Sequence, residues 1–165
     1  MDESRRDRFE AVAPTLIEPL RRFLARRTDA ATAEDVLAET LLVCWRRVAD
    51  LPDEPLPWAY GVARNCLRNA ERSARRQERA AARLAAEPVD TGPPEDLTLH
   101  EALAALNPDD AELLRLWAWE QLAPGEVATV LDITTNAASI RLHRAREKLR
   151  EQMRKIQAAS GHEVP

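Results

Sequence analysis

Apolar residues recur along this chain at intervals of three and four, and no stretch alternates Val, Ile, Thr and Tyr with the period of two that a half-buried strand needs. The pattern predicts helices throughout. The clearest begins at Thr32, in TAEDVLAETLLVCWRRVADL, where Leu37, Leu41, Cys44 and Val48 line up as one apolar stripe. Thr32 is expected as its N-cap, with Glu34 and Asp35 in the first turn, where the helix dipole favours negative charge. On the opposite face Asp35, Glu39, Leu42 and Arg46 keep the same spacing, so a leucine stands among charges where solvent is expected. A single exposed leucine is ordinary. A ridge that binds a partner is the other reading, and the spacing does not choose between them.

A proline-rich loop follows, and a second helix is expected from near Pro57, since proline suits a first helical turn. Val62, Cys66, Ala70 and Ala74 form its modest apolar stripe; Gly61, Asn65, Arg68, Arg72, Arg75, Arg76 and Arg79 run round the other side. Trp58 and Tyr60 stand at its start, readable as core residues or as platforms on which unpaired bases stack. Further on, Asn107 and Pro108 make a cap and first-turn pair, with Asp109 and Asp110 on the dipole and Leu113, Leu114 and Trp117 as the core face. A short helix, PGEVATVL, with Val127, Val130 and Leu131 inward, then DIT as a turn, leads into TTNAASIRLHRAREKLR from Thr134 to Arg150. Two helices joined by so brief a turn fit the helix-turn-helix plan.

Composition divides the chain. Residues 87–98, EPVDTGPPEDLT, hold three prolines and four acids without helical periodicity and read as a linker. Each flanking portion of the 165 residues is long enough for a small helical unit. Cys44 and Cys66 lie inside apolar patterns, with no CxxC and no His pair, and read as buried free thiols. No apolar segment approaches a bilayer span and MDESRRDRFEAV lacks the apolar core of a secretory leader, so a cytoplasmic chain without membrane insertion is expected.

Charge sharpens the picture. The formal net charge is −4, yet residues 64–83 carry seven arginines against two glutamates, and the last helix is crowded with Arg and Lys. From Glu87 to Glu120 there are nine acids opposed by Arg115 alone. Cation confined to two faces of an acidic chain suits a polyanion bound in defined places, whereas mixed signs would suffice for solubility. In the last helix Ala138, Leu142, Ala145 and Leu149 must be the buried side, which turns Asn136, Ile140, His143 and Arg144 outward, with Ser139 on one flank and Arg141 and Lys148 on the other. Such a helix reads base edges from its amino-terminal half. Asn136, Ser139 and Ile140 are placed for that, Arg141, Arg144, Arg146 and Lys148 for phosphates, and Arg144 could also pair with guanine.

With these elements in place, the chain resembles the extracytoplasmic-function (ECF) sigma factors of bacterial RNA polymerase. AEDVLAETLLVCWRRV is similar to that family's polymerase-binding helix, PLPWAYGVARNCLRNAERSARR to its promoter-melting segment, and LHRAREKLR to the end of its minus-thirty-five-reading helix. The resemblance implies an all-α fold with a sigma2-like bundle over 1–86, a flexible linker over 87–98, a sigma4-like helix-turn-helix over 99–155 and a tail over 156–165. It implies core polymerase binding through Asp35, Glu39, Leu42 and Arg46, and minus-ten DNA binding through Trp58, Asn65, Arg68, Arg72, Arg75 and Arg76, with the loop from Asp50 to Pro57 cradling an extruded base. For the minus-thirty-five duplex it implies Thr135, Asn136, Ser139, Ile140, Arg141, His143, Arg144 and Lys148. The expected partners are core RNA polymerase, promoter DNA and, as often in this class, an anti-sigma factor.

The sequence departs from the family at Asp132, where a glycine is usual in the tight turn, at Ala123, where a serine would cap, and at Ser139 and Ile140, where lysine and serine are usual. The competing readings are a stand-alone helix-turn-helix regulator of duplex DNA and a helical adaptor. No enzyme, cofactor or metal is expected: His100, His143 and His162 are scattered and there is no glycine-rich phosphate loop.

Overall fold

Helix α1 (Asp2–Ala25) runs through Pro14 and Pro19, each of which removes a backbone donor that the helix interior would use. The sequence pattern alone does not predict a continuous helix there. What holds it is burial: Leu16, Leu20, Phe23 and Leu24 on one face are at most 1% exposed, and tertiary packing overrides a local break. The computed structural model describes residues 2–81 and 97–161. Their helices divide into two compact units, parting between residues 92 and 93, and no strand occurs among the described residues.

In the first unit α1 packs on α2 (Ala30–Arg46) and α3 (Pro55–Ala81), and a 3-10 turn, Val48–Asp50, follows α2. Helix α2 starts two residues earlier than Thr32. Its N-cap is Asp29, whose carboxylate accepts the Thr32 backbone N–H at 2.9 Å and the Thr32 hydroxyl at 2.8 Å. Thr32 is therefore a donor to the cap, and Glu34 and Asp35 fall in the second turn. The buried stripe of α2 is Ala33, Val36, Leu37, Thr40 and Cys44; Leu41 is half-buried. Thr40 satisfies its hydroxyl by donating to the Val36 carbonyl at 2.7 Å.

Helix α3 opens at Pro55, two residues before the expected start, so the connection after the 3-10 turn spans only residues 51–54. Its phase also differs from the expected stripe. Ala59, Tyr60, Ala63, Cys66 and Leu67 are buried, Val62 and Ala70 half-buried and Ala74 exposed. Small Ala59 and Ala63, both 0% exposed, let α3 approach its neighbours closely. Tyr60 lies on Phe23, ring centroids 5.1 Å apart, and so belongs to the core. Cys44 and Cys66 are free and buried, and burial pushes the Cys44 thiol up to about 11.

The second unit holds α4 (Leu97–Ala104), α5 (Pro108–Ala118), α6 (Pro124–Leu131) and α7 (Thr135–Ser160), with α4, α5 and α6 all packed on α7. Leu106, Ala111, Leu114, Leu142 and Ala145 form a core cluster flanked by Leu103 and Leu149. Asn107 caps α5 by accepting the Asp109 N–H at 2.8 Å. Trp117, expected inward, is 38% exposed; Leu116 takes the core position. The linker read over 87–98 lies outside the described residues except Leu97 and Thr98, which open α4. The segment read as a tail begins inside α7, which continues to Ser160. No helix among the described residues is long and apolar enough to cross a membrane.

Phe23→Ala should cost about 3–5 kcal/mol by opening a cavity between α1 and α3, measured by urea unfolding followed through helical circular dichroism. The Asp29 carboxyl is held below its usual range by the two Thr32 hydrogen bonds. That stability is present above the usual carboxylate pKa and lost as pH falls through the lowered one. Asp29→Ala should therefore lower the melting temperature at neutral pH, with the gap to the parent closing on acidification; a gap independent of pH would refute the cap's role.

Candidate nucleic-acid interface

Once the apolar seam of each long helix is buried, the remaining side chains have no freedom about which way to face. On α2 the seam through Val36, Leu37, Thr40 and Cys44 leaves Asp35, Glu39, Leu42 and Arg46 in solvent. Leu42 is 45% exposed, and none of Asp35, Glu39 and Arg46 has an ion-pair partner among the described residues. An apolar side chain therefore sits on a ridge whose charges are all uncommitted.

On α3, Asn65, Arg68, Arg72, Arg75 and Arg76 are exposed and, at about 100° per residue, lie within roughly a 100° arc opposite buried Ala63. Arg75 reaches Glu71 at 4.0 Å, one turn back, an exposed pair that holds little energy. Arg68, Arg72 and Arg76 have no partner among the described residues. Trp58 is half-buried near the start of α3, with the Arg47 guanidinium 5.7 Å from its ring. The short connection bears exposed Pro52, Asp53 and Glu54 beside Trp58's end of the helix, and buried Leu51 anchors it. The arginine stripe and a partly available indole thus share one element.

In the second unit the hinge between α6 and α7 depends on backbone geometry. Ala123 has no side-chain oxygen to cap α6, and Glu126 supplies the reciprocal half of a capping box by accepting the Ala123 N–H at 3.1 Å. Asp132 takes the left-handed conformation, φ 54° and ψ 50°, and donates its N–H to the Ala128 carbonyl. This is the conformation for which glycine is usual; aspartate is among the few side chains that enter it readily. Thr134 then caps α7, accepting the Ala137 N–H at 3.1 Å.

With Ala138, Leu142 and Ala145 buried, the exposed side of α7 carries Thr135, Asn136, Ser139, Ile140, Arg141, His143 and Arg144. Ile140 is 44% exposed. Arg141 and Arg144 are unpaired among the described residues, while His143 meets Glu147 at 3.3 Å. Lys148 is different. Its ammonium donates to Asp110 of α5 at 2.8 Å, and the Asp110 side chain is only 17% exposed, so Lys148 ties α7 to α5. Arg146 stacks over Trp117 at 4.5 Å and is half-buried. Both residues were read from the sequence as phosphate contacts, and both are engaged internally. Asp110 and Trp117 were missed as their partners, and Arg47 as the partner of Trp58, since contacts between elements leave no trace in the periodicity of either.

Residues 9–77 match the family described as Sigma-70 region 2, and residues 96–149 match Sigma-70, region 4. The chain is 32% identical over 156 residues to the RNA polymerase sigma factor CarQ of Myxococcus xanthus, covering 88% of each protein. It is 31% identical over 140 residues to the ECF RNA polymerase sigma factor SigL of Mycobacterium tuberculosis, covering 78% of this chain and 79% of SigL. Among solved structures it shares its fold with the sigma factor RpoE in complex with the anti-sigma factor NepR from Bartonella quintana, at a TM-score of 0.64 and 20% identity over 88% of this chain and 96% of that one. The stand-alone regulator and the adaptor give way to these matches. The chain belongs to the sigma-70 family as an ECF sigma factor, a transcription initiation factor that binds core RNA polymerase and directs it to promoters.

Proposed function

We propose a residue-level division of labour for this sigma factor. Asp35, Glu39, Leu42 and Arg46 dock on core polymerase, and the observation that carries this is Leu42, exposed on a ridge whose charged neighbours are unpaired. Central apolar burial within a charged surround is the usual anatomy of a stable protein interface. Asn65, Arg68, Arg72, Arg75 and Arg76 track the backbone of the opened minus-ten strand, Trp58 stacks beside it, and the connection over residues 51–54 receives an extruded base. The boundaries 1–86, 87–98 and 99–155 serve as the division between these tasks, with Leu97 and Thr98 already in α4 and the last helix running on to Ser160.

In the second unit Asn136, Ser139 and Ile140 face the base edges of the minus-thirty-five duplex, an amide suiting adenine and an apolar tip a thymine methyl. Thr135, Arg141, His143 and Arg144 hold the flanking phosphates. Lys148, expected among them, is assigned instead to the tie with Asp110. The protein acts in the cytoplasm, where core polymerase and promoters are, and catalyses no bond change itself; the chemistry is the polymerase's. An anti-sigma protein is a further proposed partner, by likeness to the RpoE solved with NepR.

Reversing charge at Asp35 and Glu39, or Leu42→Asp, should weaken binding to core polymerase at least about tenfold and leave binding of the isolated protein to minus-thirty-five duplex unchanged; loss of both together would overturn the division. Arg141→Ala and Arg144→Ala should each lower the slope of log affinity against log salt by about one. Lys148→Met should leave that slope unchanged, and a slope reduced as much as by the arginine changes would return Lys148 to the phosphate set.

A further inference from the structure

The connection between α2 and α3 has an unusual support. Leu51 is buried, but the residue four positions on is Pro55, which has no N–H with which to serve the Leu51 carbonyl in helical register. The donor comes from α1: Arg8 Nη2 reaches the Leu51 carbonyl at 2.8 Å in a partly buried bond, short and charge-assisted. Nearby, the Arg5 guanidinium lies 5.7 Å from the Trp45 ring and reaches the Arg46 carbonyl at a longer 3.5 Å. The Trp45 ring meets Phe9 edge-on, with centroids 5.4 Å apart. The first turns of α1 thus grip the end of α2 through Arg5 and Phe9, and the connection itself through Arg8. From the other side of that connection Arg47 leans on Trp58.

We propose that Arg8 is a positioning residue for promoter opening: by holding the Leu51 carbonyl it fixes the connection in the shape that receives an unstacked base. The inference rests on the reading above that this connection, with Trp58, is where the base is received. Arg8 touches no nucleotide in this scheme. Its effect is preorganisation, because a connection free to sample other shapes must be ordered at the moment of capture and loses affinity by that cost. Arg5 and Phe9 secure the neighbouring turn, so the bond at Leu51 is the one whose removal frees the connection without detaching α1.

The test uses the full chain assembled with core polymerase, as parent, Arg8→Ala and Arg8→Lys, on fork-shaped promoter fragments randomised along the unpaired minus-ten strand. The parent should select one base at an unpaired position. Arg8→Ala should weaken that selection and the rate of opening about tenfold, the size of one lost charge-assisted hydrogen bond, with affinity for core polymerase and for minus-thirty-five duplex unchanged. Arg8→Lys, which keeps a donor, should recover part of the selection. Hydrogen exchange should rise at residues 48–54 in Arg8→Ala. Unchanged selection and opening in Arg8→Ala would overturn the proposal, as would an equal loss of selection at every position together with core affinity, the mark of general unfolding. If the parent shows no base preference in the unpaired strand, the capture reading itself fails and the role of Arg8 falls with it.

Discussion

The seam between α2 and α3 is the constraint from which the first unit's surface follows. Val36, Leu37, Thr40 and Cys44 on one side and Ala59, Ala63, Cys66 and Leu67 on the other are buried, and a helix has only one way to present such a stripe inward. Rotating α3 by one residue would expose Cys66 or Leu67 and carry an arginine into the interior, where an unpaired guanidinium costs several kcal/mol, on the order of the penalty for any buried ion. The apolar seam therefore aims the charges, and the polar residues need no interaction of their own to be placed. The same logic holds in the second unit, where Ala138, Leu142 and Ala145 turn Asn136 and Arg144 to solvent.

How the guanidinium groups are partitioned follows from this. Those that face outward on α3 and on the first half of α7 are mostly uncommitted, which suits exchange of solvent and counterions for phosphate. Those near the seams are used internally: Arg8 on Leu51, Arg47 on Trp58, Arg146 on Trp117. Stacking on an indole or serving a carbonyl suits the planar, weakly hydrated guanidinium better than an ammonium. One residue type therefore does two jobs in this protein, and position relative to the seam decides which.

Much of this was legible before any coordinates. Asn107 with Pro108, the phase of α7 and the outward leucine on α2 all rest on local rules of capping and periodicity, and each stands where those rules put it. Where local rules compete with tertiary contacts, the reading slipped. Asp29 displaced Thr32 as a cap because both are good cappers three residues apart and only the chain's path chooses between them. The stripe on α3 was drawn rotated from the buried face, sharing only Cys66 with it, because that face mixes Ala with Tyr60 and Leu67, a weak contrast in hydrophobicity. Helix α1 was not drawn at all; two prolines argue against it locally, and burial of Leu16, Leu20 and Phe23 holds it. The free ridge and the arginine stripe could be named from sequence; the pairing of Lys148 with Asp110 could not, because the two lie 38 positions apart.

The stacking of Phe23 on Tyr60 has a bearing on biogenesis. These rings lie 37 positions apart in the chain, so the part of the apolar face of α1 that meets α3 stays unmatched until α3 has been made. At about 5–20 residues per second, translation keeps Leu16, Leu20 and Phe23 without their later partners for seconds.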